Sequence, residues 1–136
     1  MARFVTDERL EKGSTLIRPL VISDLRLMDD SRFPWLMLVP RREGATEIID
    51  LPRVDQTLLL AEIETVSRAL KSVTQCDKLN IAAIGNVVPQ LHIHVVARFR
   101  ADAAWPQPVW GFGTAVAYGT EQRDNLVSRL NAALPA

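Results

Sequence analysis

Apolar residues recur at helical spacing in two parts of the chain. In residues 55–73 they come every three or four positions, and the charged residues fall mostly between them. The second part lies near the C-terminus, where Thr120 is a candidate N-cap and the apolar stripe consists of Leu126, Val127, Leu130 and Leu134. A shorter helix is predicted for residues 6–13, capped by Thr6 or Asp7 and ended by Gly13.

Four segments have the pattern of strands. Residues 21–28 alternate apolar and polar positions in their second half, and residues 35–39 form a short apolar run between two prolines. Residues 79–84 and 91–98 are the other two segments. The strands arrive as neighbours for antiparallel pairing rather than alternating with helices. The predicted class is therefore α+β, with an antiparallel sheet of about five strands and two main helices.

Composition narrows the range of partners. The 136 residues, 48% of them hydrophobic, are enough for one core, and no repeat or linker divides them, so a single domain over residues 1–136 is predicted. Sixteen basic residues balance sixteen acidic ones, which argues against binding to nucleic acid or an anionic membrane. One cysteine, no signal peptide and no apolar run of about 20 residues predict a soluble, cytoplasmic protein.

The only two histidines, His92 and His94, lie two residues apart in the last predicted strand. Side chains alternate across a strand, so the two imidazoles project from one face, about 6–7 Å apart. Gln90 and Val96 share that face, which we expect to stay in contact with solvent. The opposite face is expected to join the core and consists of Leu91, Ile93, Val95 and Ala97.

The turn before this strand, residues 85–89, has backbone N–H groups that could converge on a phosphate oxygen beside the histidines. The residues alone leave two other interpretations open. In one, the histidines are ordinary polar side chains on a sheet face. In the other, they are two ligands of a zinc or iron site, which a carboxylate such as Asp29 or Glu43 would have to complete.

Residues 85–96, with the sequence Gly-Asn-Val-Val-Pro-Gln-Leu-His-Ile-His-Val-Val, resemble the signature loop and strand of the histidine triad superfamily. The family pattern is His-φ-His-φ-His-φ-φ, where φ is apolar. Its second and third histidines match His92 and His94, and Gln90 stands in place of the first. The likeness covers about residues 20–100, and Trp35 occupies a position at which many members carry another histidine.

This resemblance implies a nucleotide-binding enzyme that acts at an α-phosphate. His92 would attack the phosphorus to form a nucleotidyl-histidine, and His94 and Gln90 would act beside it. The resemblance places Asp29 at the ribose hydroxyls. The other nucleotide contacts that it implies are Asn80, Asn86, Val87 and Val88.

The expected substrate is a purine nucleotide or AMP conjugate, including dinucleoside polyphosphates, with no cofactor and no metal. A homodimer is also implied. The alternative is a nucleotide-binding module that has lost its catalysis, because Gln90 and Trp35 both remove an imidazole from the family pattern. Trp105 and Trp110 are expected to pack within the protein rather than on a base.

Overall fold

Five strands pair into one antiparallel sheet in the computed structural model, which describes residues 3–136. The strands are β1 (Ser14–Pro19), β2 (Ser23–Met28), β3 (Trp35–Pro40), β4 (Lys78–Ala82) and β5 (Ile93–Arg98), in the spatial order β1-β2-β3-β5-β4. The helices are α1 (Glu8–Lys12), α2 (Arg53–Thr74) and α3 (Thr120–Ala133), with a 3₁₀ turn at Ile48–Asp50. The α+β class and its antiparallel sheet are confirmed.

The structure corrects two details of the predicted elements. Strand β1 was not predicted, because only Ile17 among its residues is buried and the sequence shows no clear alternation there. Helix α3 begins at Thr120 itself, so Gly119 holds the N-cap position and no side chain caps the helix. Within residues 3–136, no helix has both the length and the apolar character needed to cross a bilayer.

One face of the sheet packs against the long helix α2 and the C-terminal helix α3. Leu59, Val66 and Leu70 of α2 join a single apolar cluster with side chains from β2, β3 and β5. As predicted, that cluster contains one set of alternate residues around β5, namely Leu91, Ile93, Val95 and Ala97. Alternation thus directs His94, Val96 and Arg98 to the opposite face.

The opposite face is covered as well, contrary to the expectation that the histidine face is solvated. All six residues of β5 are buried, and His92 and His94 are only 6% and 4% exposed. The long loop between β5 and α3 places Ala104 and Val109 against Phe33, Trp35 and Val96. On the other side, Phe4, Leu10 and Val88 pack near Met37 and Val39. No periodic pattern along the chain predicts these contacts.

Arg98 fastens the long loop to the sheet. Its guanidinium is 1% exposed and bonds both carboxylate oxygens of Asp102, at 2.8 and 3.1 Å. It also donates to the Asn80 side chain and to the Gln107 carbonyl. Burial opposes ionisation of Asp102. The hydrogen bonds from Arg98 and from three loop amides nevertheless lower the pKa of this carboxyl to about 2.

Removing the charge of Asp102 should make the protein much easier to unfold. We expect Asp102→Asn to lower the free energy of unfolding by about 3–5 kcal/mol, because it leaves the buried Arg98 without its anionic partner. The matched control is Asp124→Asn, whose surface pair with Arg123 is worth at most about 1 kcal/mol. Urea denaturation of the three proteins measures both effects. Equal midpoints for the two variants would contradict the role assigned to Asp102.

Candidate active site

The ring of His92 is oriented by the backbone just before it. Its Nδ1 lies 2.7 Å from the carbonyl oxygen of Gln90. A carbonyl oxygen can only accept a hydrogen bond, so Nδ1 carries the proton of the neutral ring and donates it. The other nitrogen, Nε2, therefore keeps a free lone pair. This is the tautomer that a nucleophilic imidazole needs.

The ring of His94 is held in the opposite tautomer. Trp35 Nε1 lies 2.9 Å from His94 Nδ1. An indole N–H can only donate, so Nδ1 of His94 must accept and the ring proton resides on Nε2. The two adjacent imidazoles thus offer different atoms: a lone pair on His92 Nε2 and an N–H donor on His94 Nε2.

Aromatic rings enclose His94 on several sides. Its ring centroid lies 4.9 Å from that of His92, 5.4 Å from that of Trp110 and 5.6 Å from that of Trp35, all in edge-to-face geometry. Burial, and secondarily the charge that His92 can carry, lowers the pKa of His94 from its usual value of 6.5 to about 4. His94 is therefore neutral at physiological pH.

The side chain of Gln90 is used elsewhere. Its Oε1 accepts from the Asp7 backbone N–H at 2.8 Å, and its Nε2 donates to the Val5 carbonyl at 2.9 Å. Strand β5 begins only at Ile93, so residue 90 lies in the preceding turn and strand alternation does not direct its side chain. The structure adds that both ends of the Gln90 amide are bound to the backbone of the N-terminal segment. The side-chain amide of Gln90 binds the N-terminal segment, while the backbone carbonyl of Gln90 binds the ring of His92.

The turn at residues 85–88 lies at the surface, next to the contact between Gln90 and the N-terminal segment. Asn86 and Val87 are exposed, and Val88 is half-buried. Within residues 3–136, the amides of these three residues donate to no other group. Arg9 donates to the Val87 carbonyl at 3.2 Å, which brings a cation to the turn. Free amides beside a cation are features of an anion site.

Asp29 borders a cavity of about 400 Å³ that the long loop helps to form. Its Oδ1 accepts from the Tyr118 backbone N–H at 2.9 Å. Trp35, which holds His94, also borders the cavity, so the cavity and the histidines share a wall. The other lining residues include Met28, Asp30, Arg32, Val109 and Phe112. A groove of about 550 Å³ between β1, α2 and the C-terminus is larger but contains no histidine.

The ion pair of Asp30 and Arg32, which borders the same cavity, was not singled out from the sequence. Arg32 bonds Asp30 at 2.8 Å and also donates to the Phe112 carbonyl, so it ties the loop to the end of β2. Burial opposes ionisation of Asp30. Hydrogen bonds from Arg32 and from the amide of Val116 prevail and lower the pKa of that carboxyl. An aspartate two residues before an arginine is too common a pattern to have identified this pair.

The side chain of Asn80 interacts with Arg98 rather than with the imidazoles. It pairs with Val96 across the sheet, and its Oδ1 accepts from Arg98 at 2.8 Å. The amide oxygen therefore supports the buried guanidinium. A direct contact between Asn80 and a nucleotide remains a prediction.

Residues 3–136 contain no group of three or more His, Cys, Asp or Glu side chains that converge as metal ligands. The Nδ1 atoms of both histidines are also occupied by protein groups. Neither Asp29 nor Glu43, the carboxylates considered for a third ligand, joins the histidine pair in such a group.

Comparisons with known proteins found one family model and several similar structures. The HIT domain model matches residues 15–101. A histidine triad protein from Bradyrhizobium japonicum is 47% identical, with 98% of this chain and 100% of that chain covered and a TM-score of 0.96. One from Sinorhizobium meliloti is 44% identical (96% and 97% covered, TM-score 0.95). One from Marinobacter aquaeolei is 39% identical (98% and 97%, TM-score 0.95). No curated protein gave a significant match.

The tautomer of His94 can be observed directly. We expect long-range ¹H–¹⁵N correlation spectra to show an unprotonated Nδ1 and a protonated Nε2, with the ring titrating near pH 4. In the unfolded chain the same ring takes up its proton near pH 6.5. Its contribution to stability is therefore present above pH 6.5 and lost as the pH falls towards 4.

Trp35→Phe is the matched variant for this measurement. It keeps an aromatic ring but removes the N–H donor, so His94 should become a mixture of both neutral tautomers. A protonated Nδ1 in the parent protein would contradict the assignment.

Proposed function

The chain belongs to the HIT domain family, whose members bind nucleotides, and on that premise we propose that it hydrolyses AMP conjugates at the α-phosphate. Transfer of the nucleotidyl group to an acceptor other than water uses the same first step. The family also includes members without catalysis, so the proposal depends on the chemistry available at the histidines. One observation carries it: neighbouring imidazoles present a free lone pair and an N–H donor side by side.

In the first step, the lone pair of His92 Nε2 forms a bond to the α-phosphorus, and the bond from phosphorus to the leaving group breaks. The hydrogen bond from His92 Nδ1 to the Gln90 carbonyl stabilises the positive charge that develops on the ring. His94 Nε2–H donates to a phosphate oxygen. Water then attacks the phosphorus, the N–P bond breaks, and AMP is released.

The remaining contacts are assigned by proximity to this pair. The exposed turn, with Asn86, Val87 and Val88, offers its amides to phosphate oxygens. The cavity beside Trp35 suits the nucleoside, and Asp29 at its border suits the ribose hydroxyls. Gln90 receives a positioning role, because both ends of its side-chain amide are bound to backbone groups.

We expect the protein to form a homodimer. Strand β4 lies at the edge of the sheet with its outer side unpaired within residues 3–136, and Ile81 on it is 49% exposed. An open edge of this kind can pair with a second copy. Sedimentation at micromolar concentration should give twice the single-chain mass of 15.2 kDa. A single species at 15.2 kDa would contradict the dimer.

Replacing the nucleophile should abolish turnover while leaving nucleotide binding. We expect His92→Asn to reduce release of AMP from a cleaved conjugate by at least about 10³-fold, since the covalent route is lost. His94→Ala should slow the reaction less, because it removes one donor rather than the attacking atom. Binding of AMP, measured by calorimetry, controls for folding.

Mass spectrometry of the parent protein after rapid acid-free quenching should also show an adenylyl group on His92. Nearly full activity of His92→Asn would exclude the covalent mechanism. AMP binding by the parent protein without turnover of any conjugate would instead identify a non-catalytic binding module.

A further inference from the structure

The leaving groups that the site can expel depend on whether a group near His92 can give the leaving group a proton. When a bond to phosphorus breaks, its electron pair stays on the departing atom. The nitrogen of a phosphoramidate and the oxygen of an alkyl ester are too basic to depart in this way without a proton. A general acid that supplies this proton typically accelerates such a step by about 10²–10⁴-fold. Phosphate and carboxylate groups depart as stable anions and need no such help.

His94 is badly placed to act as this acid. To do so it would have to be an imidazolium with protons on both nitrogens. A proton on Nδ1 would face the N–H of Trp35 across the present distance of 2.9 Å, so two donors would oppose each other. The neutral ring donates a hydrogen bond from Nε2 but retains that proton, because losing it would leave a buried anion.

Within residues 3–136, the other groups that contact the two imidazoles also lack a transferable proton. The rings that contact His94 are His92 and two indoles, those of Trp35 and Trp110, and an indole N–H does not titrate. Position 90, where the family pattern has a histidine, carries an amide that is bound at both ends.

Among the carboxyl groups, that of Asp7 is coupled to His92. The hydrogen bond from the Arg9 side chain and, least of all the causes, the charge that His92 can carry lower the pKa of Asp7, so this carboxyl is ionised at neutral pH. The single ring proton of His92 is directed to the Gln90 carbonyl. No general acid therefore stands beside the nucleophile among these groups.

We propose that this site cleaves AMP conjugates whose leaving group departs as a stable anion, namely anhydrides of AMP with phosphate or carboxylate, and discriminates against phosphoramidates and alkyl esters. This inference rests on the proposed function of His92. The lone pair of His92 Nε2 forms the N–P bond, and the P–O bond breaks with its electron pair on the departing oxygen. Water then attacks phosphorus, the N–P electrons return to Nε2, and the proton of the water passes to solvent.

A series of leaving groups tests the proposal on the parent protein. Aryl esters of AMP with phenols of graded acidity should show kcat/KM falling steeply as the phenol becomes less acidic, because no proton offsets the growing charge. Two further substrates bracket the series: an anhydride of AMP with a carboxylic acid, and a phosphoramidate of AMP with a primary amine. We expect kcat/KM for the anhydride to exceed kcat/KM for the phosphoramidate by at least about 100-fold, which is the lower end of the range for general acid catalysis.

Two variants at Trp35 separate proton supply from packing. Trp35→His places at this position an imidazole that can exchange a proton with His94 Nδ1. It should flatten the dependence on phenol acidity and raise phosphoramidate cleavage at least about tenfold relative to the anhydride. Trp35→Phe removes the N–H that opposes a proton on His94 Nδ1 but adds no titratable group, so it should change that ratio less than Trp35→His does. Thermal unfolding of both variants shows whether each remains folded.

The outcomes are distinct. A steep series and a strong preference for the anhydride in the parent protein support the proposal. Comparable cleavage of the anhydride and the phosphoramidate by the parent protein overturns it and leaves the nucleotide hydrolase intact. Failure of the parent protein to cleave any conjugate overturns the proposed function and this inference together. The series on the parent protein decides the matter even if Trp35→His does not fold.

Discussion

Strand β5 is buried on both faces, and the rest of the molecule is arranged around that constraint. One set of alternate side chains completes the main core against α2, while the other set carries His94, Val96 and Arg98 into a second layer. A charged or titratable group in such a layer needs hydrogen-bond partners. Asp102 and the long loop bind Arg98, and Trp35 binds Nδ1 of His94. The loop that closes the fold is thus also the loop that encloses the site.

The chemistry of the site follows from partners that have only one hydrogen-bonding role. A carbonyl accepts and an indole N–H donates, so the Gln90 backbone and the Trp35 ring select opposite tautomers for His92 and His94. Neither partner changes its role with pH. In the proposed reaction, the pair of imidazoles is therefore prepared in advance for attack at one atom and donation at the next. In that proposal, the same arrangement withholds a proton from the leaving group.

Gln90 and Trp35, at which the sequence was expected to depart from the family pattern, each have a physical role in the structure. The side-chain amide of Gln90 binds the backbone of Val5 and Asp7, one through its donor and the other through its acceptor. Trp35 fills the second layer and supplies a donor to His94. In place of two titratable groups, the chain has two that keep their charge state. The proposed consequence is a site that, within residues 3–136, has a nucleophile and donors beside it but no acid.

The sequence by itself determined the α+β class, the two main helices and the antiparallel pairing of β2 with β3, and it singled out His92 and His94 as the candidate site. Those features depend on local periodicity and on a short motif, which are legible along the chain. Strand β1, the enclosure of the histidine face, the use of Gln90 and the Arg98–Asp102 anchor were decided only by tertiary structure. Each of them joins residues through loops without periodicity or across long separations in sequence, as Gln90 does with Val5 and Asp7. Even the tautomers of the histidines, which decide what the site can do, depend on which hydrogen-bonding group the fold brings to each ring.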